Sequence, residues 1–221
     1  MANSLEKTIE LIIDDAFKRL EYAYQHHREN SPKTSYNELT RLVFPSYANG
    51  DTRVSEQELR FAFVEAFNNS KDVKDNNLFY SIETPTRRRY KGFAKGKPEV
   101  IPEGKDDGRS AAFDLVIFDE NLKRVCLIEF KARTASDKNH KKDLLKLKTE
   151  GDGILRYFIE VEESFNQGTI KSLHNKLFCK GGYNEDKKTE FKCYVLNAKE
   201  DNGIVSGVDI SEEVINYRIK K

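Results

Sequence analysis

Apolar positions recur with two different periods along this chain, and the change of period divides it. Over residues 5–28, Leu5, Ile9, Ile12, Ile13, Phe17, Leu20 and Tyr24 fall at helical spacing, with acids early and bases late. Asn30-Ser31-Pro32 stops that helix. Ser35-Tyr36-Asn37-Glu38 and Ser55-Glu56-Gln57-Glu58 each carry a capping-box pattern. The first predicts a short helix ending at Pro45. The second predicts a helix to about Phe67, with Leu59, Ala62, Phe63, Ala66 and Phe67 on one face. The polar run 68–77 reads as a loop.

Beyond residue 78 the pattern is that of strands. Strands are predicted at 78–84, 113–118, 124–130, 154–161 and 191–197, with helices at 138–150 and 169–178 and a last short element at 211–219. Residues 85–109 read as one long basic excursion. The runs FDLVIF and RVCLIEF flank Asp119–Lys123 as a β-hairpin and are apolar on both faces, as in central strands covered on each side. This order predicts an α/β sandwich with a mixed sheet: a helical region over 1–50 that packs on the core or mediates dimerisation, and an α/β core over 51–221.

Composition narrows the function classes. With 221 residues, 38% hydrophobic and 34% charged, the chain is long enough to bury a core without disulfide or metal staples. No apolar run is long enough to span a membrane, and the N-terminal stretch lacks a basic n-region and an apolar h-region. Three scattered cysteines (Cys126, Cys179, Cys193) read as buried thiols, so a cytoplasmic location is expected. The net charge of +1 hides a concentration. Residues 84–109 hold eight basic residues against four acids, and residues 131–148 hold seven against two. A polyanion responds to such segments rather than to the average.

The chemistry-bearing positions lie in the hairpin. Asp114 interrupts one apolar arm and Glu129 the other, with Lys131 two residues on. A turn symmetric between Asp119 and Arg124 sets Asp114 opposite Glu129, with Cβ atoms about 4.5–5.5 Å apart. Glu129 and Lys131 share a face because strand side chains alternate. Two carboxylates that close and largely dry need a compensating charge, and hard oxygens suit Mg²⁺, with Mn²⁺ as substitute. The lysine can orient a water and stabilise charge on phosphorus. A buried ion pair inside an ordinary sheet is the bland alternative. His26-His27 point apart on a helix, His140 and His174 read as surface residues, and neither a phosphate loop nor a nucleophile elbow is present.

Asp114, followed fifteen residues later by Glu129-Phe130-Lys131 at the end of an apolar strand, resembles the PD-(D/E)xK nuclease superfamily. The resemblance covers roughly residues 55–160. It implies a restriction-endonuclease-like three-layer sandwich with an N-terminal helical arm. It further implies a Mg²⁺-dependent DNA endonuclease, most plainly a restriction-type homodimer. Asp114, Glu129 and the Phe130 carbonyl would hold the metal, and Lys131 would serve catalysis. A helix before the sheet often adds an acid in this family. Glu58 is the candidate, with Glu65 as substitute. Phe113 stands where the motif name has a proline. Arg87, Arg88, Arg89, Lys91, Arg109, Lys142 and Lys146 are candidate DNA contacts, with Tyr90 stacking on a base or sugar. A repair, recombination or mobile-element nuclease, an RNA substrate, or a catalytically silent DNA- or partner-binding module are the other readings.

Overall fold

The computed structural model describes residues 2–30, 39–93, 97, 99–105, 107–132, 137–150, 153–162, 168, 173, 191–197 and 208–209. Helix α1 (Ala2–His26) follows from the helical spacing at the start of the chain, and α2 (Glu56–Asn69) from the second capping box. In that box the Ser55 hydroxyl accepts the Gln57 N–H while the Glu58 carboxylate accepts the Ser55 N–H. A short helix α3 (Lys71–Asp75) lies within the stretch expected to be loop, because Ser70 caps it at Val73. The helix expected to end at Pro45 does not form over 39–44. There Phe44 bridges Arg28, and the residues of its capping pattern lie outside the described ones. Of the helix expected at 169–178 only Leu173 is described, as helical and buried, and the element expected at 211–219 lies outside the described residues.

Among the described residues the sheet has seven strands: β1 (Phe79–Lys91), β2 (Glu99–Val100), β3 (Arg109–Phe118), β4 (Arg124–Ala132), β5 (Leu155–Glu162), β6 (Lys192–Asn197) and β7 (Val208–Asp209). Their order is β2-β1-β3-β4-β5-β6-β7, and it is mixed: β4, β5 and β6 run parallel, the other neighbours antiparallel. Helix α4 (Asp137–Thr149) crosses over between β4 and β5. A parallel pair needs such a crossover.

Helices cover both faces. On one, α1 and α2 pack Ile9, Ile13, Phe17, Leu59 and Phe63 against Leu115, Ile117, Ile128, Phe130, Tyr157 and Ile159. The apolar face of α1 is therefore spent on the core, and Lys192 of β6 ties it down through Glu6 at 2.9 Å. It is part of the helical layer. On the other face, Leu144 and Leu147 of α4 meet Phe113, Val116, Leu127 and Phe158. Cys126 and Cys193 are buried, and Cys179 lies outside the described residues. No described helix is long and apolar enough to cross a membrane.

Part of the basic excursion is strand. β1 continues through Arg87-Arg88-Arg89 and β3 begins at Arg109, so the connection shrinks to residues 92–108. The paired arm does not continue the sheet flat. Extended straight, the ladder would set Ala112 and its partner Pro85 beside Lys131, about 20 Å along β4 from Arg124. Yet Arg124 donates to the Pro85 carbonyl at 2.8 Å, and Phe113 joins the same core cluster as Val116, three residues away. The arm folds back over the α4 face. Its bend carries Glu83 at φ +48, a left-handed conformation rare for a side chain of this kind, and a register shift between Pro85 and Arg89. Gly108 lets the arm close. At φ +87 it lies so near Tyr90 that a Cβ would stand 2.7 Å from the Tyr90 carbonyl oxygen.

Candidate active site at the sheet end

The hairpin register holds at Leu115↔Ile128, Val116↔Leu127 and Ile117↔Cys126, the pairing that brings Asp114 level with Glu129. There the regular ladder stops. The Asp114 Oδ2 takes the Phe130 N–H at 2.7 Å, and its Oδ1 accepts from Arg60 of α2 at 2.8 Å. Arg60 also holds Glu83 at the bend, at 2.8 Å. Asp114 is thus clamped between the sheet and α2.

Glu129 and Lys131 project from β4 toward α4, as alternation requires. Glu129 is 1% exposed and its Oε1 forms an ion pair with Lys146 Nζ at 2.6 Å; neither carboxylate oxygen has an aligned hydrogen bond among the described residues. Burial, reinforced by Asp143 and Asp114, pushes the Glu129 carboxyl well above the usual carboxylate range, although Lys146 pulls the other way. Lys146 itself is surrounded by oxygen: Glu129 at 2.6 Å, Asp143 at 2.9 Å and the Ala112 carbonyl at 2.7 Å. The contact to the Ala112 carbonyl is a hydrogen bond, and those to the two carboxylates are ion pairs.

Lys131 Nζ sits 2.8 Å from Asp143 and 3.6 Å from Glu56, and donates to the Phe130 carbonyl at 3.0 Å. Burial alone would lower this ammonium, but Asp143, Asp114 and Glu56 hold it above lysine's usual value. Asp143 shows the converse. Burial would raise its carboxyl, yet Lys146 and Lys131 hold it below the ordinary range. It is the shared counter-charge of both lysines.

A cavity of about 490 Å³ opens over this cluster, lined by Glu56, Glu83, Asp114, Lys131, Lys142 and Asp143, among others. Asp114 and Lys131 reach it, and Glu129 lies behind Lys146. Glu58 does not. Its carboxylate is engaged by Ser55 and, at 2.5 Å, by Arg53, so it caps α2 while Glu56, two residues earlier, faces the cavity. Glu65 is also elsewhere, bonded to Thr40 at 2.6 Å and paired with Arg19.

The expected DNA contacts divide. Lys142 lines the cavity. Lys146, expected to grip phosphate, is 2% exposed and belongs to the buried cluster. Arg87, Arg88 and Arg89 are exposed on the arm, Lys91 pairs with Asp107 at 3.4 Å, and Arg109 is exposed at the start of β3. Tyr90 is not free to stack on a base. It is 2% exposed, its hydroxyl meets Thr149 and Glu150, and burial pushes its phenol well above the usual value. His140 is likewise buried, its Nε2 3.3 Å from Glu160.

Sequence reasoning missed Asp143, Glu56, Glu83 and Arg60. Asp143 had a readable signal: with His140 and Lys146 it interrupts the stripe of Leu144 and Leu147, placing charge on the buried face of a helix. Among the described residues no three His, Cys, Asp or Glu side chains converge as a metal cluster. The oxygens of Asp114, Glu129 and the Phe130 carbonyl are of the hard type that Mg²⁺ favours, while Lys146 holds the place between Glu129 and Asp143. Comparisons with protein-family models, curated proteins and solved structures give no match for this chain.

Proposed function

We propose that the chain is a Mg²⁺-dependent DNA endonuclease of the PD-(D/E)xK type, with a restriction-endonuclease-like fold, cutting duplex DNA as a homodimer. The observation that carries this reading is the hydrogen bond from the Phe130 N–H to Asp114. It locks the aspartate to the Glu129-Phe130-Lys131 segment at the mouth of a polar cavity. Asp114, Glu129 and the Phe130 carbonyl would hold the metal, with Glu56 replacing Glu58 as the acid supplied by α2. When bound, the ion activates water and neutralises charge on the phosphate. Lys131, kept charged by Asp143 and Glu56, orients the attacking water and stabilises the charge that grows on phosphorus. Lys142, at the rim, holds the neighbouring phosphate.

One observation favours a second reading, a nuclease-like DNA-binding module without catalysis. Lys146 and Lys131 already pair with Glu129 and Asp143, and Arg60 pairs with Asp114, so each of these carboxylates has a counter-charge with no metal. Supercoiled plasmid incubated with Mg²⁺ or Mn²⁺, beside EDTA and Glu129→Ala controls, separates the two. Metal-dependent fragments that vanish in both controls support the enzyme. Intact plasmid under every condition, together with retained DNA binding, supports the module. Cutting of forks and flaps but not of intact duplex moves the proposal to a repair-type nuclease.

A further inference from the structure

A second cavity, of about 390 Å³, lies on the folded arm, between Arg87, Arg88 and Arg89 of β1 and the turn that carries Lys105. The arm is held from beneath by one carboxylate. Glu150, 3% exposed at the end of α4, accepts the Arg87 N–H at 3.0 Å, the Arg88 N–H at 2.6 Å and the Tyr90 hydroxyl at 3.2 Å. That carboxylate occupies the backbone donors of the bulge and leaves the guanidinium groups to point outward. Neither Arg87 nor Arg88 pairs with a carboxylate among the described residues. Arg124 adds to the excess positive charge. Its Nη1 is buried without a hydrogen-bond partner among the described residues, and burial and the neighbouring Arg87 both disfavour its charge. Four cations and two acids line the cavity, a net of +2 from Arg87, Arg88, Arg89 and Lys105 against Glu103 and Glu150. Four like-charged groups around one cavity call for an anion.

The position of this cavity says which anion. Ser110 lines it and Ala112 lines the sheet-end cavity, two residues apart on β3, or about 7 Å. Glu150 and Lys146, which border the same two cavities, are one helical turn apart, or about 6 Å. A strand of duplex DNA advances about 3.4 Å per nucleotide. We propose that the arm cavity is a backbone-phosphate subsite, in which Arg87 and Arg88 grip a polynucleotide strand within one or two nucleotides of the phosphodiester lodged over Asp114 and Lys131. Glu150 is its positioning residue, fixing the arm rather than touching the strand. This inference rests on the nuclease reading for its substrate class, but its test does not require cleavage.

The experiment is fluorescence anisotropy with a short labelled duplex in EDTA across a salt series, so that neither metal nor chemistry enters. Arg87→Gln/Arg88→Gln is expected to weaken binding by about tenfold or more and to reduce the salt slope by about 1–2, the share of two phosphate contacts. Lys71→Gln/Lys74→Gln, on exposed α3, is expected to change neither by more than about twofold. Glu150→Gln, with its melting curve showing a folded chain, is expected to fall between them. Wild-type affinity and slope in Arg87→Gln/Arg88→Gln would overturn the subsite, as would an equal loss in Lys71→Gln/Lys74→Gln. Displacement of the duplex by inorganic phosphate at matching concentration would overturn the polynucleotide as its ligand. A protein that binds through these arginines yet never cuts would sink the nuclease reading and leave the subsite standing.

Discussion

On the α1–α2 face of the sheet, Ile9, Ile13, Phe17, Leu59 and Phe63 meet Leu115, Ile128, Phe130 and Ile159, and every one of these side chains is apolar and buried. On the α4 face of the same strands, Glu129, Asp143, Lys146, His140 and Glu160 are just as buried, at 0–3% exposure. Hydrophobic transfer stabilises the first face at about 25 cal/mol per Å² of apolar surface. The second must offset the desolvation of each charge by pairing it, and ion pairs of this kind often do no better than apolar residues of the same volume. The apolar contacts on both faces explain why the chain folds. The charges buried beside the apolar cluster of the α4 face are unexplained by folding, and this asymmetry is the strongest physical reason to look for function there.

Several substitutions would break or sharpen the contrast. Asp143→Ala removes the counter-charge that Lys131 and Lys146 share and is expected to cost about 3–5 kcal/mol, as when one partner of a buried pair is removed. Phe63→Ala, on the apolar face beside Phe130, is expected to cost a comparable 3–5 kcal/mol by opening a cavity. Denaturant unfolding measures both. The faces separate when a pair is replaced whole. Glu129→Leu/Lys146→Met is expected to be neutral or to stabilise by about 1–4 kcal/mol while removing metal-dependent cutting. A large loss of stability in that double variant would mean the charges serve the fold.

Smaller effects probe the arm and the helix cap. The Tyr90 phenol is held above its usual value, so its contribution is complete below the ordinary tyrosine pKa of about 10 and is lost as pH rises beyond it. Melting temperature should therefore fall above that pH, and the fall should be shallower in Tyr90→Phe. Ser55→Ala removes the N-cap of α2 and is expected to cost about 1 kcal/mol.

Much of the frame was legible in the sequence, and the reasons for the rest are local. The hairpin of β3 and β4, its register, α4 and β5 were readable because their apolar runs are strong and the turn at Asp119–Lys123 is compact. The extension of β1 through Pro85 and three arginines was not, since proline and a charge run read as loop, and only pairing with β3 and the Glu150 carboxylate makes them strand. At the site, the alternation of Glu129 and Lys131 was visible. The partners drawn from other elements were not: Arg60 on Asp114, Asp143 and Glu56 on Lys131, and Lys146 turned inward. Glu58 was misleading because a capping-box glutamate and a site acid share a sequence position, and here the backbone claims it.

The central claim is that Asp114 and Glu129 bind a divalent metal at the end of the sheet. Its most direct test is the melting temperature in a titration with Mg²⁺ or Mn²⁺, since a ligand of the folded state stabilises by RT ln(1 + [L]/Kd). The account predicts a saturable rise for the unsubstituted chain that disappears in both Asp114→Asn and Glu129→Gln. No rise in the unsubstituted chain, or the same rise in all three proteins, would contradict it.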